Sequence, residues 1–394
     1  MMVKDKSLKP GWRTVKFGDV ARQVKDKADP EASGLERYVA GDHMDTNELR
    51  IRRWGEIGSG YLGPAFHIRF QPGQVLYGSR RTYLRKVAVA NFTGICANTT
   101  FVIETRSASE LLPEYLPFVM QTETFHAHSI KQSKGSVNPY INFTDLNWFE
   151  FDLPPIKEQQ KIADNLAAAD DLVASIEHAK GKHGQLLESF IQGAFERFDN
   201  NCKHRPSAEL MGKITVGIVV KPADLYVEAG AGVLALRSLN VFPGRFVLNE
   251  TVEISPHGHT THEKSALSAG DIVVVRTGRP GDAAVIPPEL DGTNCIDLIV
   301  AKPGPEVDAQ YVVTFLNSQF GRRLFSSGTT GTAQQHFNVG EFSKLKLPVP
   351  PLPMQRQFVS DLNDLRGPGD SLGMRLTHAR QVRSLLLNEL VGGH

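Results

Sequence analysis

The sequence predicts an α+β protein: two similar mixed α/β blocks joined and spaced by two long antiparallel helices, a pseudo-two-fold internal repeat. Three observations carry this. The stretch LPPIKEQQKIADNLAAADDLVASIEHAKGKHGQLLESFIQGAF returns, altered, at the C-terminus as PVPPLPMQRQFVSDLNDLRGPGDSLGMRLTHARQVRSLLLNELVGG. An offset of 196 lays Pro154-Pro155 on Pro350-Pro351, Gln159 on Gln355 and Leu166 on Leu362. After an insertion near Gly367-Pro368-Gly369, an offset of 200 lays His178-Ala179-Lys180 on His378-Ala379-Arg380 and Leu186-Leu187 on Leu386-Leu387. This period is far too long for a solenoid and points to duplication of a whole block plus helix. Both copies space apolar residues three and four apart, the pattern of an amphipathic helix. The stretches preceding them run through strand-like segments and one helix in the same order.

Residues 1–12 read as a loose arm ending at Pro10-Gly11-Trp12. Strands are expected at Thr14–Phe17, His67–Phe70, Gln74–Tyr77, Lys86–Ala90 and Thr100–Ile103, punctuated by Gly, Pro and Asn. A helix is expected from Pro113, where a first turn tolerates proline, to about Lys131. Residues 153–200 carry the stripe Ile162, Leu166, Ala169, Leu172, Val173, Ile176, Leu186, Leu187 and Phe190, with a kink expected near Gly181 and Gly184. Roughly 40 helical residues at about 1.5 Å each would make a rod of about 60 Å. The second block repeats the order, with strands at Thr215–Val220, Gly232–Arg237, Asp271–Arg276, Ala283–Ile286 and Leu298–Ala301. Its helix runs over Asp308–Phe325, with Tyr311 on Tyr115. The last stripe is Phe358, Leu362, Leu365, Leu372, Leu376, Val382 and Leu385–Leu387. The expected divisions are therefore 1–152, 153–200, 201–349 and 350–394.

At 394 residues, 41% hydrophobic and 22% charged, the chain can bury two cores and is not a disordered composition. Three cysteines without a close pair argue against a disulfide scaffold and a thiolate zinc site, and fit a reducing, cytoplasmic setting. No run of 18 apolar residues exists, and the start MMVKDKSLKP lacks the apolar centre of a signal peptide, so no membrane association is expected. The net charge is +1 over the whole chain, made of +3 for 1–152, −3 for 153–200, 0 for 201–349 and +1 for 350–394. Nucleic-acid affinity would have to come from local patches on the blocks, not from the acidic helix.

Catalytic signatures are missing. There is no Gly-x-x-x-x-Gly-Lys-Ser/Thr loop, no His-Glu-x-x-His, and no Asp or Glu followed two residues later by Lys. Asn138-Pro139-Tyr140 is a coincidental echo of the Asn-Pro-Pro-Tyr motif of amino-group DNA methyltransferases, lacking the second proline and the Gly-rich cofactor strand upstream. His257, His259 and His262 lack a carboxylate or thiolate to complete a metal set and read as a solvated loop. No cofactor, metal or catalytic residue is expected.

Arginine patches are the chemistry that remains, because the guanidinium fork pairs bidentately with guanine and with phosphate. One patch contains Arg52 and Arg53 beside Trp54. A second follows a strand and holds Ser79, Arg80, Arg81, Tyr83 and Arg85. Its counterpart in the second block holds Arg276, Thr277 and Arg279. A lone patch is more often a solvated face, but here an Arg-bearing turn recurs in both blocks. Two polar loops stand in equivalent places before the long helices, with Gly135 on Gly331 and Asn142 on Asn338. With Lys131 they offer Lys134, Ser136, Asn138, Tyr140 and Asn142 in the first block, and Thr329, Thr330, Gln334, Gln335, His336 and Asn338 in the second. These are donors and acceptors of the kind that read base edges.

In this order the residues resemble the specificity subunit of type I restriction–modification systems. The resemblance rests on Lys9-Pro10-Gly11-Trp12, Val75 through Gly78, Tyr83 through Ala88, Gly94-Ile95-Cys96, Gly135 through Leu146, and Leu153 through Ala163, and it covers nearly the whole chain. It implies two target-recognition domains reading the halves of an asymmetric, interrupted sequence in double-stranded DNA. It also implies helices that set the gap and dock two modification (methyltransferase) subunits, joined by ATP-driven restriction subunits. Under it, Pro155, Gln159, Gln160, Pro351 and Gln355 become the expected partner-binding positions. Met354 in place of Glu158, and Pro353 in place of Lys157, set the second copy apart. A non-catalytic protein adaptor and a related methylation-based phage-defence system are the competing expectations.

Overall fold

The computed structural model describes residues 8–326 and 337–392. The chain forms two units, Met1–His178 with Gly373–His394 and Ala179–Leu372. Each therefore takes part of the central helix, Ile156–Asn201, and part of the closing helix, Leu352–Leu390.

In the first unit, Arg13–Lys16 pairs antiparallel with Glu150–Leu153, bringing the start of the block back to the start of the central helix. One antiparallel sheet is ordered Ala21–Val24, Thr100–Thr105, Val75–Gly78, Val87–Val89. A second is ordered Gly55–Glu56, Arg37–Val39, Gly94–Ala97, Phe66–Phe70, and its middle pair is parallel. The core gathers Tyr77, Tyr115, Phe125 and Phe17 from the block, Ile162, Ala163 and Leu166 from the central helix, Leu387 from the closing helix and Val391 just past its end. Each fully buried large apolar side chain contributes about 1.5–3 kcal/mol. That burial is what fastens helices whose own surfaces are mostly polar. Arg383 adds a largely buried ion pair to Asp170 (2.7 Å) and a hydrogen bond to the Gln121 carboxamide oxygen.

The second unit repeats the plan. His204–Pro206 pairs with Lys346–Pro348. One sheet is ordered Met211–Val216, Leu298–Pro303, Ile272–Val275, Ala283–Val285. The other is ordered Tyr226–Val227, Val252–Ile254, Val233–Leu236, Asn294–Cys295, again with one parallel pair. Here the two helices enter the core through aromatic rings. Phe195 lies 5.3 Å from Phe358, 5.6 Å from Tyr311 and 5.3 Å from Phe315.

The structure departs from expectation at definite points. The helix expected from Pro113 to Lys131 is two, Leu116–Met120 and Glu123–Gln132, because the Thr122 hydroxyl accepts from the Phe125 amide (3.2 Å) and starts a new helix. Likewise Asp308–Phe325 divides into Ala309–Asn317 and Gln319–Ser326 at Ser318, whose hydroxyl accepts from the Gly321 amide (3.4 Å). A side-chain oxygen offered to a free first-turn amide makes both residues natural N-caps. The central helix runs without interruption through Gly181 and Gly184. The histidine cluster is no loop: Pro256–Thr261 is a short helix capped by Ser255. The arm is tethered at its end, where Trp12 Nε1 donates to Glu158 Oε2 (3.0 Å) and Gly11, at φ +83°, packs on Pro155.

Candidate nucleic-acid interface

Strand Val75–Gly78 of the first unit delivers the chain to Ser79, which is buried. Its amide and hydroxyl both donate to the Thr99 carbonyl (3.0 and 2.7 Å), and its own carbonyl accepts from the Ile141 amide (3.0 Å). Beyond it Arg81 takes φ +50°, a single turn spans Thr82–Leu84, and Arg85 again takes φ +50°. The left-handed region costs an ordinary residue roughly 1–2 kcal/mol, so the neighbours must hold it. The Arg81 amide donates to Pro139 (2.6 Å), Thr82 shares a hydroxyl hydrogen bond with Ser133 (2.8 Å), and Arg85 grips both carboxylate oxygens of Glu123.

The polar loop closes on this turn. Lys134 and Tyr140 exchange two backbone hydrogen bonds (2.8 and 2.9 Å), and Tyr140 also bridges to Arg80. Lys134 Nζ donates to Asp145 (2.9 Å), and that bond holds the Asp145 carboxyl below the usual carboxylate range. Asn142 and Asp145 together cap Phe143–Leu146. The turn and the loop, more than 50 residues apart in the chain, thus make one surface. Arg80, Arg81, Tyr83, Ser136, Asn138 and Tyr140 are exposed on it, and Lys131 is exposed on the helix that leads into the loop. Neither Arg80 nor Arg81 has an ion-pair partner among the described residues.

Arg52 and Arg53 do not join it. Arg52 is tied to Glu48 (2.6 Å) and to Glu177 of the central helix (2.7 Å), which also accepts from Arg380 (2.6 Å). Arg53 is paired with Asp45. Their charges are answered within the unit, so the first patch is a fastening between block and helix. Arg85, bound to Glu123, and Ser79, buried, also support the surface without belonging to its exposed face.

In the second unit Arg276 turns inward, while Arg279 stays exposed but is held by partners of its own. The Arg276 side chain, 11% exposed, donates to Asp297 Oδ1 (2.7 Å) and to the Phe337 carbonyl (3.2 Å). The Phe337 amide returns a hydrogen bond to the Arg276 carbonyl (3.0 Å). Thr277 donates to the other Asp297 oxygen (3.4 Å). Arg279 lies over the Phe242 ring (3.9 Å), donates to the Val241 carbonyl (2.9 Å) and pairs with Asp282 (3.4 Å). Asn338 caps Val339–Lys344 by accepting from the Glu341 amide (2.9 Å). Thr329, Thr330, Gln334, Gln335 and His336 lie outside the described residues.

Among the expected partner-binding positions, Pro155, Gln160 and Pro351 are exposed, Gln160 bonding Asp164 along the helix (2.9 Å). Gln159 and Gln355 are buried, with 1% and 0% of their surface left. They are corrected from partner contacts to internal fasteners. Sequence reading also missed the residues that aim the surface, Glu123, Pro139 and Asp145, and the one that holds Arg276 in the second unit, Asp297. Pro139 and Asp145 could have been suspected from the loop and capping pattern around them. Asp297 could not, since its left-handed φ of +51° is not written in the sequence. Among the described residues no group of three His, Cys, Asp or Glu could hold a metal ion, and no helix is long and apolar enough to cross a membrane.

Residues 10–182 match the family model described as the type I restriction modification DNA specificity domain. A 200-residue stretch, 48% of the chain, is 28% identical to the EcoDI specificity subunit of Escherichia coli and spans 42% of that protein. Over 90% of the chain, identity is 22% to the MjaVIII specificity subunit of Methanocaldococcus jannaschii, of which 86% is covered. A solved chain from a study of assembly and conformational transition in a type I restriction–modification system has the same fold. Its TM-score is 0.65 at 17% identity, over 98% of both chains.

Proposed function

We propose that the chain is the sequence-reading, non-catalytic subunit of a type I restriction–modification complex: it matches the specificity-domain model over residues 10–182, is similar to a specificity subunit over 90% of its length, and shares the fold of a solved chain from such a system. The observation that carries this for the chain's own residues is the joining of the 80–83 turn and the 134–140 loop into one exposed surface. That surface holds unpaired guanidinium groups beside hydroxyl and carboxamide side chains. Cations of this kind position a protein on phosphates, and fork or amide groups choose bases.

In this reading residues 1–152 and 201–349 are target-recognition domains for the two halves of an asymmetric, interrupted target. Residues 153–200 and 350–394 set the gap and dock two modification subunits, to which restriction subunits add, in the cytoplasm. Leu172 and Leu186 on the central helix, and Met374, Val382 and Leu385 on the closing helix, are each more than half exposed, which supports cover by a partner. Co-expression with the cognate modification subunit in a host lacking adenine methylation, followed by single-molecule sequencing, tests the proposal. A single interrupted, asymmetric motif methylated on both strands is expected. A soluble complex that methylates nothing and does not bind DNA would favour the adaptor reading instead.

A further inference from the structure

We propose that Tyr83 reads a base pair in the half-site of the first unit, its ring set against a pyrimidine C5 edge, and that the matching turn of the second unit, Arg276 through Asp282, offers no aromatic in its place. This rests on the DNA-recognition reading above and names a residue within it.

Tyr83 is 52% exposed, while its neighbour Thr82 is buried. It makes no hydrogen bond, ring contact or cation contact among the described residues, so nothing in the fold uses it. A single exposed ring is unremarkable by itself on a protein surface. The platform beneath this one is not. Two ordinary residues in the left-handed region, Arg81 and Arg85, bracket the turn. The Leu84 amide donates to Arg81 (2.8 Å), the Arg85 amide donates to Thr82 (2.9 Å), and the Leu84 carbonyl accepts from the Thr46 hydroxyl (2.9 Å). Strained backbone that its surroundings hold in place is a mark of functional sites. What this strain achieves is to hold an idle aromatic outward, next to two guanidinium groups without ion-pair partners.

An aromatic side chain on a rigid base has only two torsions to lose on binding, so it gives contact area at small entropic cost. The arginines preceding it supply the cations that draw phosphates close. In the major groove, the thymine methyl is the base feature that an apolar ring edge reads. The matching turn of the second unit, Arg276 through Asp282, contains no aromatic, and it bends on Gly278 and Gly281 at φ +86° and +92°. The two readers therefore differ in chemistry at the same place in the fold.

The experiment uses the complete complex with its modification subunits, carrying wild-type chain, Tyr83→Ala, Tyr83→Leu or Tyr83→Phe. Methylated-adenine sequencing gives the target. Competition binding then uses duplexes changed at each half-site position in turn, including deoxyuridine in place of each thymine. Tyr83→Ala should weaken the intact target about tenfold and lose discrimination at one position of one half-site, with the other half-site and the gap unchanged. Tyr83→Phe should keep that discrimination, and deoxyuridine at that position should weaken wild type but not Tyr83→Ala. Unchanged discrimination in both Tyr83→Ala and Tyr83→Leu overturns the inference. So does an affinity loss spread evenly over all positions, which marks a phosphate contact or a damaged fold. If wild type yields no interrupted motif, it is the DNA-recognition reading that fails; a wild-type motif with indifferent variants removes only Tyr83.

Discussion

Gln159 and Gln355 make the same three hydrogen bonds in their respective units. Gln159 Nε2 donates to the carbonyls of Glu110 (2.9 Å) and Pro154 (2.8 Å), and its Oε1 accepts from the Leu112 amide (2.9 Å). Gln355 does so with Glu306 (3.0 Å), Pro350 (2.8 Å) and the Asp308 amide (2.9 Å). Each carboxamide thereby staples the first turn of a long helix to the loop that leads into the buried helix of its block. The repeat first seen as two aligned glutamines is a repeat of one mechanical joint.

Replacing either glutamine by leucine keeps the volume and takes the side-chain partner from two carbonyls and one amide. The expected loss is about 2–4 kcal/mol for each variant, since an unsatisfied buried polar group costs about 1–3 kcal/mol. Urea melts of the two single variants measure it. Losses under about 0.5 kcal/mol would show that water enters and replaces the side chain.

Phosphate contacts and internal ion pairs separate in salt. Arg80→Ala and Arg81→Ala should each lower the slope of log affinity against log salt by roughly one ion, with weaker binding across all sequences. Arg53→Ala, which removes a cation already paired with Asp45, should leave the slope unchanged. Titrations of the complex between about 50 and 200 mM salt decide this. Equal slopes for Arg53→Ala and Arg81→Ala would mean that the 80–83 turn does not face the backbone of the duplex.

The same contrast shows what the sequence could and could not disclose. The apolar stripes, the offset of 196 and the strand–turn–strand order were legible because burial and periodicity repeat locally. Even the two helix breaks had a signal, Thr122 and Ser318 standing at that same offset, but a capping hydroxyl inside an amphipathic run looks like any polar position. Which arginines are free was not legible. Arg52 is neutralised by Glu177, 125 residues away, Arg85 by Glu123 and Arg276 by Asp297, pairings that only folding creates. The convergence of the 80–83 turn with the 134–140 loop was hidden for the same reason.

His126 gives the fold a definite acid sensitivity. It is 1% exposed, and neither ring nitrogen has a hydrogen-bond partner among the described residues. Burial, and then the charge of Arg85, lower its pKa to about 4 from the usual 6.5, with Glu123 opposing. The unfolded chain therefore binds the proton more readily than the native one between about pH 6.5 and 4. The contribution of the neutral imidazole is fully present above 6.5 and is lost as the pH falls through that window. Lowering the pH from 7 to 5 should remove about 2 kcal/mol through this residue. Denaturant melts at the two pH values, in wild type and in His126→Leu, measure the difference. An identical pH dependence in both would assign the acid sensitivity to other groups.

The two long helices make a prediction about the DNA. The central helix passes from the first unit to the second after His178, and the closing helix returns after Leu372. If they set the spacing of the two readers, both must be lengthened together, since each unit packs on one part of each. A side chain at Gly181 would meet no neighbouring element of the described residues within 4 Å, which makes it a tolerant insertion point, and Gly373 is the same on the closing helix. Four residues added at both places lengthen each helix by about 6 Å, close to the rise of two base pairs at about 3.4 Å each. The methylated motif should keep every letter of both half-sites and gain about two positions in the gap. Altered half-site letters with an unchanged gap would show instead that the helices act on the reading surfaces and not on their separation.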